Sequence, residues 1–385
     1  MMHGELISDL DGIEDFRADW DELAVGLRRP FCAPAWTLTW WKDAAPKGSR
    51  LRVVAVFEDR DLIAVAPFFA HSGPSGCVRY RLLAAGTTAR VEPLARPGTE
   101  PGVAEEIARL LATADPTPHL IAFEGVPTSS RWPELLRETW PGTRPPHVYR
   151  EMLMMAPTLE LRGGYEEWLK NKSSHWRREV RRRRRRLEEK GAVFKLATTP
   201  EDLQSGLADF AELHYSRWKW RGGSSALSAR VELMLKDVAT ELAPAGRFRL
   251  WTIEVDGKAI SSQIFVGAGG ELSYWLGGFD EEWARLGPSI QAVLTALEHA
   301  WKVGDERLDF GAGGQEYKYE FASGADSLEW TLLVPRGLRY PLTRIQLVPQ
   351  RVRRYALTTM SERLSPETKN RLKRVLRKVK SPPRR

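Results

Sequence analysis

The sequence predicts an α/β protein, more closely an α+β mixed-sheet fold in two similar tandem halves, with a basic and partly helical C-terminal tail. Three observations carry this reading. At 385 residues the chain is too long for one ordinary core. The order of helices and strands in the first half returns in the second. Residues 272–321 read strand, tight loop, helix, strand and glycine-rich turn, the clearest α/β unit in the chain. The expected units are 1–157, 158–335 and the tail 336–385, with two similar sheets dividing near Arg150 to Tyr165.

The first half opens with a helix around Ile13 to Leu27, then the aromatic stretch FCAPAWTLTWW, then a strand, a polar turn at Glu58 to Asp61 and a second strand. Segments rich in Ala, Pro and Gly, Gly86 to Gly102 and Gly142 to Pro157, separate its elements and end it. In the second half Ser173 or Ser174 can cap an arginine-rich helix whose apolar positions are Trp176, Val180 and Leu187. Arg183 and Arg184 fill the missing turn of that face, so at least one must pair with an acid or sit at a cleft edge. Thr199 and Asp202 form a near capping box for the helix from Pro200 to Trp220. A hairpin follows, with Asp256-Gly257 as its two-residue turn. Pro288 opens the next helix and Gly304 closes it. Ile290, Val293, Leu294, Leu297 and Trp301 lie along one face between them. A short strand from Arg307 to Phe310 ends in Gly311, Gly313 and Gly314, which allow close approach of backbone to a ligand.

Composition narrows the class. A hydrophobic share of 42% and 15 tryptophans favour a folded protein with aromatic-lined clefts over disorder. Cys32 and Cys77 make neither a metal set nor a disulfide framework, which fits a reducing compartment. The N-terminus does not read as a secretory signal, and no window approaches the roughly 20 apolar residues of a membrane span. A cytoplasmic, soluble protein is expected. The net charge of +8 is uneven. Residues 170–190 carry 11 Lys/Arg against three Glu, and 336–385 carry 16 against two, leaving the remainder at −14. Two basic patches on an otherwise acidic protein point to anionic partners or to acidic neighbours within the fold.

The loop Ala284-Arg285-Leu286-Gly287 feeds the helix at Pro288 and Ser289 directly from a strand. Its free N–H groups and positive dipole end suit a phosphate or pyrophosphate, although Gly-Pro also serves as a plain cap. Downstream, Tyr317 or Tyr319 can act as a general acid toward a leaving group, and Lys318 can stabilise an oxyanion or bind an anionic substrate. The bland alternative is a turn with packed tyrosine and solvated lysine. His214 lies on the stripe Leu203, Leu207, Phe210, His214, Trp218, either as a buried structural group or as a ligand contact. Arg217 and Trp218 are candidates for a substrate cleft. Asp309 and Gly313 border the glycine turn, where Asp309 either touches substrate or orients the turn. No Ser/His/Asp order, zinc spacing or Walker loop competes, so direct transfer without a covalent enzyme intermediate is the simpler chemistry.

The pieces FAELHYSRW, DGKAISSQIF, GFDEEWARLGPS and LDFGAGGQEYK give the second half a family resemblance. It resembles GNAT acyltransferases, and more closely the GNAT-like subgroup associated with bacterial cellulose and exopolysaccharide synthesis. The resemblance covers about Tyr165 to Pro335, and the first half only in element order. It is also distantly similar to the Fem peptidyltransferases, which pair two such halves and use aminoacyl-tRNA. The familiar acetyl-CoA loop of GNAT enzymes is Gln/Arg-x-x-Gly-x-Gly/Ala, whereas Arg285 to Ser289 is shorter and carries a proline.

The resemblance implies acyl-CoA as co-substrate, bound at Arg285, Leu286, Gly287, Pro288 and Ser289 in the second half alone. No metal is expected. The implied reaction is transfer to an amine of a sugar-linked or envelope-polysaccharide precursor. One alternative is a Fem-like transferase that meets tRNA through the arginine helix; another is a non-catalytic scaffold. Uniform arginines without interleaved aromatics argue against sequence-specific nucleic-acid readout. In the tail, Leu372, Val375, Leu376 and Val379 run among seven basic residues, a pattern suited to peripheral contact with an anionic membrane or to an acidic partner.

Overall fold

The computed structural model describes residues 1–73, 76–219, 223–224 and 226–347. The tail reading from about Leu364 onward lies outside the described residues.

The first half contains β1 (Met2–Ile7), α1 (Arg17–Gly26), α2 (Pro34–Ala44), β2 (Arg50–Glu58), β3 (Asp61–Ser72), β4 (Val78–Leu82), β5 (Leu94–Ala95), α3 (Glu100–Thr113), β6 (Leu120–Pro127), α4 (Trp132–Thr139) and β7 (His147–Glu160). Two helices, α5 (Tyr165–Lys170) and α6 (Ser174–Glu189), lead into the second half. That half contains β8 (Val193–Leu196), α7 (Pro200–Lys219), α8 (Ala229–Leu242), β9 (Phe248–Val255), β10 (Lys258–Ala268), β11 (Glu271–Phe279), α9 (Pro288–Val303), β12 (Arg307–Asp309), α10 (Glu316–Phe321) and β13 (Gly324–Val334).

Local chemistry explains the ends of these elements. The aromatic stretch of the first half is helix α2, opened by Pro34 at its first position, with Trp36 and Trp40 buried. Thr199 Oγ1 accepts from the Asp202 N–H at 3.1 Å while Asp202 Oδ2 accepts from the Thr199 N–H at 3.3 Å, a reciprocal cap for α7. Asp256 and Gly257 both have positive φ, the geometry of the twisted two-residue turn between β9 and β10. Ser173 caps α6 by accepting from the Trp176 N–H at 3.2 Å. Arg183 and Arg184 pair with Glu179 and Glu188, and Arg184 also lies 3.4 Å from the Phe194 ring centroid.

Each half follows one plan: strand, two helices, a three-strand antiparallel meander, a helix, a strand parallel to the meander's last strand, a helix and a final strand. The expectation of two separate sheets is corrected. One continuous sheet runs β1-β2-β3-β4-β6-β13-β7-β12-β11-β10-β9-β8, with β5 beside β3. The halves exchange their last strands. β13 lies between β6 and β7, antiparallel to both, and β7 pairs antiparallel with β12. Element order alone does not choose a strand's partner, because ladder bonds are non-local and either final strand fills either position. A large apolar cluster includes residues from both halves, among them Phe68, Phe123, Trp36, Phe210 and Ile264.

Candidate active site

The site grows from a short parallel pairing. β11 and β12 share only three register pairs, ending at Ser273 and Asp309. Beyond them β12 stops and turns through Gly311, at φ +74°, while β11 continues to Phe279. The register of β10 against β11 shifts there, from Ile264–Leu276 to Phe265–Tyr274, leaving Trp275 as a bulge. The diverging chains open a wedge. A cavity of about 180 Å³ occupies it, lined by Tyr274, Trp275, Asp309 to Ala312 and Lys318 from the second half and by Phe31 and Thr87 to Arg90 from the first.

Lys318 is buried, with Nζ donating to the carbonyls of Gly311 at 3.2 Å and Ala312 at 3.3 Å. Burial lowers its pKa to about 8, against the opposing pull of Asp309. Tyr317, its neighbour, is partly buried and hydrogen-bonded to Tyr274. Burial raises both phenols, so each holds its proton at neutral pH, even though Arg217 acts on both in the opposite sense. Tyr319 instead faces solvent at 45% exposure.

A polar chain connects this turn to the start of α9. Tyr274 Oη donates to Gln263 Oε1 at 2.9 Å, and Gln263 Nε2 donates to Ser289 Oγ at 3.1 Å. Gly277 makes room for it, since a β-carbon there would run into Gln263 Oε1 and stand 2.7 Å from Tyr274 Oη. At the head of α9, Gly287 has φ +60° and no side chain caps the helix. Pro288 has no N–H, so the first-turn N–H groups of Ser289 and Ile290 are left for a ligand. Arg183 of α6 is beside them, its Nη1 3.0 Å from where a Gly287 β-carbon would stand.

The other expected site residues divide by role. Arg285 is exposed, whereas Leu286 packs against the cluster of Leu187, Ile253 and Ala292 and anchors the loop. His214 has both ring nitrogens engaged, Nε2 with Ser224 Oγ at 2.7 Å and Nδ1 with the Gly277 carbonyl at 3.4 Å. Burial lowers its pKa, so it is a neutral strut between α7 and β11. Arg217 stacks 4.6 Å from the Phe279 ring centroid, and its buried Nε has no hydrogen-bond partner among the described residues. Trp218 packs beside His214. Asp309 is 1% exposed; it accepts from the Gly311 N–H at 3.0 Å and pairs with Arg90 Nε at 2.5 Å. Gly313, at φ +119°, donates its N–H to the Met155 carbonyl at 3.0 Å.

Arg90 is the main residue that sequence reasoning missed. It comes from the first half and also pairs with Asp326 of β13 at 2.8 Å, which Arg307 reaches at 2.7 Å. Burial works against the Asp326 charge, but Arg90 and Arg307 hold its carboxyl below the usual range. Gln263, Tyr274 and Gly277 were missed as well. Gln263 lies in the quoted hairpin segment, and a glutamine facing the core of a strand is a signal in itself. Among the described residues, no group of three or more His, Cys, Asp or Glu is placed to hold a metal ion.

Comparison with known proteins agrees with this architecture. Residues 174–319 match the Acetyltransferase (GNAT) domain family. The fold resembles the crystal structure of FemX, with TM-score 0.59 and 13% identity over 86% of this chain and 98% of that one. It also resembles the C-terminal domain of an Agrobacterium fabrum protein assigned as a lysylphosphatidylglycerol synthetase, with TM-score 0.53 and 11% identity over 87% and 96%. A conserved Bacteroides thetaiotaomicron protein of unknown function gives TM-score 0.53 and 11% identity over 86% and 99%. The comparison with curated proteins finds no match. The family match runs from the first residue of α6 to Tyr319 in α10, across the open helix start and the wedge, so that stretch of the chain is similar to a GNAT acetyltransferase domain.

Proposed function

We propose that the chain moves an acyl group, acetyl in the simplest case, from acyl-CoA to an amine of a sugar-linked or envelope-polysaccharide precursor, as the subgroup resemblance implies. The observation that carries the donor half is the wedge between β11 and β12. Its cavity is lined by Lys318 and Tyr274, and the hydrogen-bond chain from Tyr274 through Gln263 to Ser289 links it to the uncapped, arginine-flanked start of α9. The CoA diphosphate takes the Ser289 and Ile290 N–H groups beside Arg183, and the thioester arm follows the unpaired edge of β11. The acceptor enters from the side of Thr87 to Arg90.

In the transfer, the amine lone pair attacks the thioester carbonyl and a C–N bond forms. The carbonyl oxygen gains charge, which Lys318 in its protonated form stabilises. As the C–S bond breaks, Tyr317 gives its proton to the thiolate, and the proton shed by the nitrogen restores the phenol. In the first half the Gly98 N–H, just before α3, donates to the Glu100 carboxylate at 2.8 Å, which sets a negative charge where a diphosphate would lie.

Thermal shift with acetyl-CoA, with and without a nucleotide sugar, tests the donor assignment. Stabilisation by CoA thioesters supports it. Stabilisation by aminoacyl-tRNA alone favours the Fem-like reading instead, whose specific support is the exposed set Arg178, Arg181, Arg182, Arg185 and Arg186 on α6.

A further inference from the structure

Residues 340–347 form a helix after β13 that is apolar on two sides. One side belongs to the fold. Tyr340 and Leu347 pack against Leu120, Ala122, Tyr149, Leu332 and Val334, and Thr343 is buried with them. The other side is bare. Leu342 and Ile345, 58% and 65% exposed, lie one turn apart, and Leu338, which precedes the helix, is fully exposed. Helical spacing puts 342 and 345 on the side opposite the buried one, and Leu338 belongs to the exposed turn that leads into the helix. Arginines border these residues. Arg336 and Arg344 each stand 5.6 Å from the Tyr340 ring centroid, and Arg339 is exposed between them.

Three large aliphatic side chains open close together make an exposed apolar patch of the kind that marks a protein or membrane contact. The charge identifies the contact. The three arginines begin the segment 336–385, in which 16 Lys/Arg face two Glu. An aliphatic patch rimmed by guanidinium groups matches the boundary between lipid headgroups and acyl chains, where leucine and isoleucine enter the apolar layer and arginine stays with the phosphates. A nucleic acid would use the arginines and leave the patch wet. We propose that Leu338, Leu342 and Ile345, with Arg336, Arg339 and Arg344, form a docking surface for an anionic membrane, holding the protein by the side of its sheet near β6, β13 and β7.

The test is co-sedimentation of the full chain with vesicles of equimolar phosphatidylcholine and phosphatidylglycerol, and with pure phosphatidylcholine vesicles. The wild type should bind the first, not the second, and lose affinity as salt rises. The variant Leu342→Asp/Ile345→Asp should bind about tenfold to a hundredfold more weakly. Its melting temperature should be unchanged, since both positions are exposed. Equal binding by variant and wild type overturns the proposal and leaves basic charge alone as the attraction. A wild type that ignores anionic vesicles also overturns it. So does a variant that converts a dimer to a monomer without altering vesicle binding, because the patch then belongs to a second copy.

Discussion

Replacing Lys318 by methionine should change how stability depends on pH, and the size of that change follows from its burial. The folded pKa is about 8 against an ordinary 10.5. Below the folded value both states carry the proton, and the cost of burying the charge is fully present. Between the two values the unfolded chain binds the proton and the folded chain does not, so the stability of the wild type rises with pH across that window. The separation corresponds to about 3 kcal/mol. Methionine has nothing to titrate. The difference in unfolding free energy between wild type and Lys318→Met should therefore move by up to about 3 kcal/mol in favour of the wild type as pH rises from neutral to beyond 10.5. Groups shared by both proteins cancel in that difference. Urea denaturation of each protein at a series of pH values measures it. A difference that stays flat across the window would refute the claim that Lys318 is buried as a strained cation. The same variant should lose roughly a hundredfold in kcat while keeping its affinity for the thioester, if the charge acts on the transition state. Since the cationic form is the active one, the wild-type rate should fall as pH passes about 8.

Tyr317→Phe should slow thioester transfer by about tenfold or more, since it removes a donatable proton; Tyr319→Phe should leave it unchanged, and single-turnover rates compare the two. Gly287→Asp should abolish CoA binding in calorimetry while the protein still melts cooperatively. Aspartate tolerates a left-handed backbone, and its charge would take the place of the diphosphate beside Arg183. Gly277→Ala should cost about 1–3 kcal/mol in denaturation, because its β-carbon displaces Gln263 and Tyr274. Asp309→Asn should destabilise by about 3 kcal/mol, leaving Arg90 short of a buried partner, and a melt that matches the wild type would show that this ion pair does not tie the halves.

The elements themselves were largely legible in the sequence. Pro288 and Gly304 bracket α9, Asp256-Gly257 makes the hairpin, and Thr199 with Asp202 caps α7, because each acts through its immediate neighbours. The loop from Arg285 to Ser289 was readable as the lead-in to α9, whereas Tyr317 and Lys318, expected on a turn, lie in the short helix α10. What the sequence concealed is long-range. Arg90 meets Asp309 across more than half the chain, and nothing local to an arginine before a Val-Glu-Pro run marks it. Strand exchange escaped notice for the same reason. Tyr274 reads as one aromatic position in an alternating strand, and only the bulge at Trp275 beside the end of β12 shows that it faces the wedge. His214 went the other way. Its position on an apolar stripe left ligand and strut open, and two occupied ring nitrogens make it a strut.

Strand exchange also accounts for the asymmetry between two halves of the same plan. In the first half β4 and β6 pair in parallel over three residues and then part, just as β11 and β12 do. That wedge is filled. Arg81 crosses it to Glu124 at 2.6 Å, and the space at Gly125 is closed by Ala89 and by the ring of Trp330, which arrives on the exchanged strand β13. The opposite exchange places β7 against β12 and contributes no such plug, so the second wedge stays open. The same sealed region of the first half presents Thr87 to Arg90 as the far wall of the second half's cavity. The cavity is consequently walled by both halves. A fragment beginning at residue 158 would lose Arg90 from Asp309, and the strand that joins β13 to β12 would be cut at its last residues.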